Sequence, residues 1–417
     1  MNVRPPSHNP SRQTSGPTWQ RPEVLLILLS VAMPLSFSTW MALLNNFAVE
    51  RAGFSGVEIG ILQSIREIPG FLSFGVVFLL LVMREQVLAL IALVVLGVGT
   101  AATGLFATEY GLYVTTVVMS VGFHYFETLR QSLALQWLDE DRAPIAMGRM
   151  VSAGSLAGLC VFALIWLTQE ILKIDMVWVY ALGGVSTVGL TVLCAVAFPR
   201  FDGKAQQHKH LVIRKRYWLY YALTFLWGAR RQIFVVFAGF LMVEKFNFSA
   251  ASMSLMFLTT SAMAIWLAPK VGRMIARLGE RRVMIIEYAG LCLVFVAYAF
   301  VETAGLAVGL YLLDHLFFSM SFASKTYFQK IADPQDIAST SGVSFTINHI
   351  AAVVIPVVFG LVWMSDRKWV FLAGAGMAAA SLALAFLIPH RPGVGRETVL
   401  SAGRKNPETE AEAPVQE

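Results

Sequence analysis

The chain has 417 residues, 57% of them hydrophobic and only 14% charged, with a mean hydropathy of +0.65 and a net charge of +6. A soluble domain is about 45–50% apolar and about 25% charged, so this composition excludes an ordinary water-soluble domain and points to a polytopic membrane protein. The positive balance does not signal nucleic acid, because the basic residues are distributed as membrane topology demands.

Residues 1–22, rich in Pro, Ser and Arg, read as a disordered tail. Twelve mostly apolar runs follow, each long enough to cross the hydrocarbon, at 24–48, 57–82, 86–107, 111–137, 146–168, 175–198, 217–243, 250–270, 282–301, 305–330, 337–363 and 367–389. The first is too long for a signal-peptide core and lacks a small-residue cleavage site, so it reads as a retained helix. Ser55 and Glu58 have the spacing of a capping box at the start of span two. That span carries Arg66 and Glu67 at depth, followed by Pro69. Span four carries His124, Glu127, Arg130 and Gln131, which fall at three- and four-residue steps and therefore on one helical face. Cys160, Cys194 and Cys292 lie inside spans and show neither a disulfide framework nor metal-ligand spacing, so no metal is expected.

Residues 199–216 form the longest and most basic connection, after span six. They read as a linker between a first unit, 23–198, and a second, 217–390. An internal repeat supports the division. "FAVERAGFS" (47–55) closes span one and opens span two, and "LMVEKFNFS" (241–249) does the same for spans seven and eight. A weaker pair is "GLY" at 111–113 and 309–311. Span seven holds the adjacent Arg230 and Arg231, and span ten holds Asp314 and, lower down, Lys325. Asp314, Phe318, Ser321, Lys325 and Phe328 share a face if the helix is regular. Asp333 followed by Pro334 reads as the cap of span eleven, where Asn348 and His349 lie mid-span. His315 and His349 read as packing residues, and Pro34, Pro69 and Pro356 as kinks. Residues 391–417 are polar, finish acidic and read as a second disordered tail.

With the N-terminus inside, the cytoplasmic loops hold Arg84, Arg142, Arg149, Arg214, Lys215, Arg216, Arg273, Arg277, Arg281 and Arg282. The opposite loops hold only Arg51, Lys173, Lys245, Arg367 and Lys368. This asymmetry predicts that both termini are cytoplasmic, in a cell inner membrane.

Six plus six spans, a central basic linker and parallel repeats resemble the major facilitator superfamily of secondary transporters, over about residues 20–390. The most specific residues are in "GRMIARLGERR": Gly272, Arg277, Gly279, Arg281 and Arg282 fit the family's cytoplasmic loop motif, which controls conformational change. The family's aspartate position is Ala276 here, and the sister loop "LVMREQ" (81–86) lacks the motif. The resemblance implies an all-α membrane protein with twelve transmembrane helices in two pseudo-symmetric six-helix bundles. It also implies that spans one, four, seven and ten line a central cavity.

An ionised side chain at a helix centre costs about 2.5–3.5 kcal/mol on insertion scales. Five bases (Arg66, Arg130, Arg230, Arg231, Lys325) and three acids (Glu67, Glu127, Asp314) facing lipid would cost on the order of 20 kcal/mol together. They must face inward, pair or meet water. Adjacent helical residues point about 100° apart, so one of Arg230 and Arg231 is expected to face the cavity and the other to pair, with Asp314 or Glu67 as the expected acid. Arginine forks suit carboxylate or phosphate. The expected function is alternating-access transport of a small anionic or zwitterionic solute. Arg66, Arg130, Gln131, Arg230, Arg231, Lys325 and Asn348 would contact substrate, and Glu67, His124, Glu127 and Asp314 would carry coupling protons. An exporter of amphipathic compounds and a non-transporting sensor are the alternatives. The absence of a phosphate-binding glycine loop or nucleophile triad argues against an enzyme or an ATP-driven pump, and no cofactor and a monomer are expected.

Overall fold

The computed structural model describes residues 19–138, 143–201, 213–333 and 336–401. Arg142, Pro334, most of the linker and most of both expected tails lie outside the described residues. Among the described residues the structure is helical, with no sheet and one isolated bridge, Gly393 to Arg396.

The first part of the chain contains α1 (Pro22–Ala52), α2 (Gly56–Phe71), α3 (Val76–Leu79), α4 (Glu85–Thr103), α5 (Glu109–Trp137), α6 (Ala143–Trp166) and α7 (Met176–Ala197). The second contains α8 (Trp218–Gln232), α9 (Gly239–Glu244), α10 (Ala250–Leu278), α11 (Glu280–Ala299), α12 (Ala304–Phe318), α13 (Phe322–Ile331), α14 (Ile337–Ser365) and α15 (Arg367–Ala385). Among the described residues ten stretches are long and apolar enough to cross a membrane, including the composite runs Lys215–Glu244 and Ala304–Ile331. The sixteen-residue α2 and the charge-bearing α5 are not among the ten.

Three expected continuous spans are broken. Span two stops at Phe71 and passes through a 3₁₀ turn, Leu72–Gly75, before α3. Pro69 has no N–H to continue the ladder, and Gly70 and Gly75 weaken the helix further. Span seven changes from α8 to a π-helical turn, Ile233–Ala238, directly after Arg230 and Arg231. Such turns gather at functional positions. Span ten is interrupted by a 3₁₀ turn, Ser319–Ser321.

The capping box forms as expected: the Ser55 N–H donates to Glu58 Oε2 at 2.8 Å, and the Val57 N–H to Ser55 Oγ at 3.3 Å. The repeat is built into backbone geometry. α1 ends in left-handed Gly53 (φ 67°) and α9 is followed by left-handed Asn247 (φ 54°). The next N–H closes the same loop in each copy, Phe54 to the Ala48 carbonyl and Phe248 to the Met242 carbonyl, both at 3.0 Å. Ser55 and Ser249 then cap α2 and α10. The "GLY" pair has no such equivalence, since Gly111 lies in the first turn of α5 and Gly309 deeper in α12.

The expected Asp333–Pro334 cap falls on Pro334, outside the described residues. Asp336 precedes α14 without a side-chain cap bond, and its carboxylate accepts from Arg214, Arg216 and the Tyr217 hydroxyl. Residues 391–401 of the expected tail pack back on the helices: the Tyr327 hydroxyl donates to the Glu397 carbonyl at 2.5 Å, and the Val399 N–H to Leu387 at 2.9 Å.

α1 packs on α6 and α7, and α4 on α5 and α7; α11 packs on α15, and α8 on α14 and α15. The two parts of the chain meet through α2 against α14 and α6 against α10. The α2–α14 contact is backbone on backbone. A Cβ at Gly60 would lie 2.4 Å from the Pro356 carbonyl oxygen, and one at Gly360 would lie 2.6 Å from that of Gly56.

Candidate functional site

Glu127 and Arg130 are one helical turn apart on α5, and the fork closes on the carboxylate with Nε–Oε1 at 3.0 Å and Nη2–Oε2 at 2.9 Å. Both remain partly accessible because they line a cleft of about 420 Å³ formed by α1, α5, α6 and α10. Pro34 of α1 also lines the cleft and has no N–H to donate to the Ser30 carbonyl, and a Cβ at Gly154 of α6 would lie 3.0 Å from that carbonyl oxygen. Met33, Phe37, Met150 and Phe162 supply apolar surface to the rest of the wall, and Ser38, Ser155 and Ser261 supply hydroxyls.

Deeper between the two parts of the chain lies a second cluster. Arg66 pairs with Glu67 Oε1, its neighbour on α2, through Nε at 3.1 Å and through Nη2. The Arg66 guanidinium also lies 5.8 Å from the Trp40 ring of α1. Glu67 Oε2 faces Nε2 of His349 on α14 at 3.8 Å. The His349 ring meets that of His124 on α5 edge to face, with centroids 5.3 Å apart. His349 Nδ1 lies 2.9 Å from the Phe345 carbonyl, which leaves Nε2 for Glu67. Gly70 makes the room, since a Cβ there would lie 2.4 Å from His349 and 2.6 Å from His124. One donor atom each from Glu67, His124 and His349 lie within 4.8 Å of one another. Two imidazoles and a carboxylate suit a divalent transition metal, although Arg66 already engages the other carboxylate oxygen. No metal-ligand spacing marks this set in the sequence, because its donors come from three helices. His349, read from sequence as a packing residue, belongs to the cluster.

The two arginines of span seven diverge, as helix geometry requires. Arg231 is exposed, lies 5.7 Å from the Trp227 ring, and is within electrostatic range of Glu67 and Arg66. Arg230 is buried, and its ion-pair partner is Glu287 of α11, with Nη2–Oε1 at 3.5 Å, not the expected Asp314 or Glu67. Arg230 also donates to Ser381 Oγ of α15 at 3.3 Å and lies 5.1 Å from the Tyr288 ring. Asp314 is buried within electrostatic range of Arg230. Glu287 escaped the sequence reading, although "VMIIEYAG" (283–290) sets an acid in an apolar run and would have met the same depth criterion as the other acids.

Lys325 does not join Asp314. The 3₁₀ turn between them breaks the expected common face and leaves Lys325 exposed, 5.6 Å from the Phe322 ring. Gln131 is exposed on α5. Asn348 packs on Gly228 of α8, where a Cβ would lie 2.5 Å from its Oδ1. In the loop motif, Gly279 joins α10 to α11 at φ 78° and ψ 159°, a conformation that is essentially glycine's alone. Gly272, Arg277 and Arg282 are exposed and Arg281 is half-buried.

These features define a multi-pass helical membrane protein with ionisable groups gathered inside its helix packing. A family model for the Major Facilitator Superfamily matches residues 24–356, and the chain belongs to that superfamily, a family of solute transporters. The fold agrees. The nucleoside transporter NupG, as its D323A mutant, superposes with a TM-score of 0.73 at 15% identity, covering 88% of this chain and 99% of that one. A bacterial homologue of the human lysosomal transporter Spinster, in its inward-facing and occupied conformation, gives 0.69 at 11% identity, covering 89% and 97%. Its unoccupied form gives 0.70 at 10% identity, covering 94% and 100%. No curated protein matches the chain in sequence.

Proposed function

We propose that this protein is a secondary active transporter that carries a small anionic or zwitterionic solute, coupled to protons, by alternating access. The observation that carries the substrate class is the Glu127–Arg130 pair in the cleft between α1, α5, α6 and α10. A guanidinium held by a carboxylate can exchange that partner for a substrate carboxylate or phosphate with little reorganisation. A proton taken up by Glu127 would release Arg130 for the exchange, which makes Glu127 the first candidate for coupling. Arg231, Arg66 and Glu67 extend the charged surface toward the contact between the two parts. Lys325, Gln131 and Asn348 are secondary contacts. Glu67, His124 and Asp314 are the further candidate proton carriers.

In this reading α2 and α5 are the eleventh and twelfth crossings, and 23–198 and 217–390 are two six-helix bundles that rock about the midplane. Both termini are cytoplasmic, the protein is a monomer in the cell inner membrane, and the Gly272–Arg282 loop controls the rocking. The bonds across the two parts support a closed outer side: Asn46 Nδ2 donates to the Phe248 carbonyl at 2.6 Å, and the Val357 N–H to Ser64 Oγ at 3.1 Å. Both lie toward the end of the molecule that has the fewer basic loops.

The methionines and phenylalanines of the cleft, Met33, Met150, Phe37 and Phe162, favour a second reading, export of amphipathic compounds. Melting temperatures of the purified protein with a panel of carboxylates and phosphates, and in parallel with lipophilic cations, separate the two. The anion reading expects stabilisation by at least one anion, lost in Arg130→Gln. Stabilisation by lipophilic cations alone overturns it. Accumulation in proteoliposomes that ignores an imposed pH gradient overturns the coupling.

A further inference from the structure

We infer that Glu67, His124 and His349 form a binding site for one divalent transition metal ion, of the class of Zn²⁺, that joins the two parts of the chain. The effect of the metal on transport rests on the alternating-access reading above, but the existence of the site does not.

The three side chains come from α2, α5 and α14, all are buried, and one donor atom from each lies within 4.8 Å of the others. The helices are tied together on both sides of the cluster: the Ser120 hydroxyl of α5 donates to the Arg66 carbonyl, and the Val357 N–H of α14 to Ser64 Oγ at 3.1 Å. The decisive contact is His349 against Glu67. His349 Nδ1 lies 2.9 Å from the Phe345 carbonyl and has to carry the proton of that bond, so Nε2 of the neutral ring presents a lone pair. It faces Glu67 Oε2, a second acceptor, at 3.8 Å. Two acceptors that face each other in a buried place call for a cation between them. The His124 ring, its centroid 5.3 Å from that of His349, brings a third donor atom into the same small volume.

The surroundings are those of a metal site. A metal-binding imidazole almost always gives its other N–H to a carbonyl, carboxylate or water, and a ligating carboxylate is itself held by a hydrogen bond. His349 does the first with Phe345. Glu67 does the second, since Arg66 holds Oε1 and leaves Oε2 to face the histidine. The rings of Phe123 and Phe345 pack on His124 and His349, with centroids 4.9 and 4.1 Å away, and give the ligands an apolar shell. Two imidazoles and one carboxylate are a zinc set that leaves a fourth position open. Bonds of about 2.0–2.2 Å put donors about 3.4 Å apart around a tetrahedral ion. The widest pair therefore has to close by at most about 1.4 Å, within the reach of side-chain rotation. Arg66 and Arg231 lie close enough to oppose a cation. They equally attract an anion, chloride or hydroxide, to the open position. With that anion and Glu67 the metal's two charges are offset, and occupation adds one net positive charge, the same as protonating one imidazole.

The test is isothermal titration of zinc chloride into the full chain, purified without a histidine tag and stripped with a chelator. One Zn²⁺ per chain is expected to bind. His349→Gln, His124→Gln and Glu67→Gln should each weaken it at least about tenfold, since losing a ligand costs no less than losing its hydrogen-bond support. His208→Gln combined with His210→Gln, in the linker, should leave the binding unchanged. X-ray absorption of zinc bound to that linker variant should show two imidazoles, oxygen and no sulfur, which decides the matter even where a cluster variant fails to fold. Absence of stoichiometric binding, sulfur ligands, or a loss confined to the linker variant overturns the inference and leaves only a proton between His349 and Glu67. By pinning α2 and α5 to α14, Zn²⁺ should also slow transport in proteoliposomes, and His349→Gln should relieve the block. If zinc binds at the histidines while transport runs undisturbed, the site stands and the rocking of the two parts falls. If transport proceeds by alternating access and no zinc binds, the reverse holds.

Discussion

Glu67 on α2 and His349 on α14 face each other at 3.8 Å, both buried, although 282 positions separate them in the chain. The contact exists because Gly70, one turn beyond Glu67, gives the two histidine rings the volume a side chain would fill. Gly70→Ala should therefore destabilise the protein by about 1–3 kcal/mol, the usual cost of overpacking. His349→Ala in the same chain should restore part of the loss, the signature of a shared cause. Thermal or chaotrope unfolding in detergent measures both. A Gly70→Ala protein that melts like the wild type would contradict the close approach.

The α2–α14 contact is less forgiving, because the obstructing atoms at Gly60 and Gly360 are backbone. Gly60→Leu should force the two helices apart. A cysteine placed at Ser64, whose hydroxyl accepts from the Val357 N–H, should then react faster with a membrane-impermeant maleimide added from outside. Equal labelling rates in the two backgrounds would mean that this contact does not seal that side.

The repeated turn predicts an asymmetry between its two copies. At Gly53, φ is 67°, so Gly53→Ala should cost about 1–2 kcal/mol. At Asn247, with φ 54°, Asn247→Gly should be neutral or stabilising and Asn247→Val destabilising. Melting temperatures of the three variants check the set.

Asp336 lies just before α14, outside the apolar stretch that begins at Val343. Burial pushes its carboxyl upward, but the bonds from Arg214, Tyr217 and Arg216 outweigh this and hold it below its ordinary 3.8. A depressed carboxyl stabilises the fold at pH above its unfolded value, and the contribution is lost as pH falls through the folded one. Asp336→Asn should therefore lower the melting temperature near neutral pH, and the difference from wild type should vanish in strong acid. A difference that persists unchanged there would place the effect elsewhere.

Arg130 is expected to matter more for binding than for stability, because its pair with Glu127 is partly solvated. Arg130→Gln should weaken the affinity of a stabilising anion by at least about tenfold, the loss of one charge-assisted fork, with little change in the melting temperature without ligand. Isothermal titration with the best anion from the thermal panel measures it. Unchanged affinity would remove Arg130 from the site.

Much of this molecule is legible along the chain. The ten membrane-length stretches among the described residues, the Ser55–Glu58 box and the turn shared by 47–55 and 241–249 follow from local rules, because hydropathy, capping and backbone handedness act within a few residues of their cause. The breaks within spans two, seven and ten were less visible. Pro69 announces the first, whereas the π turn after Arg231 and the 3₁₀ turn at Ser319–Ser321 leave no compositional mark. The second of those turns is why Lys325 parts from Asp314.

That buried charge must be satisfied inside this protein follows from composition alone, since lipid cannot solvate an arginine or a glutamate wherever the helices go. Which charge meets which is set by the packing of the helices. Adjacent side chains on a helix point in different directions, so Arg230 turned to Glu287 while Arg231 turned toward α2. The partner of each was set by a helix brought alongside from far down the chain, a relation that no local spacing records.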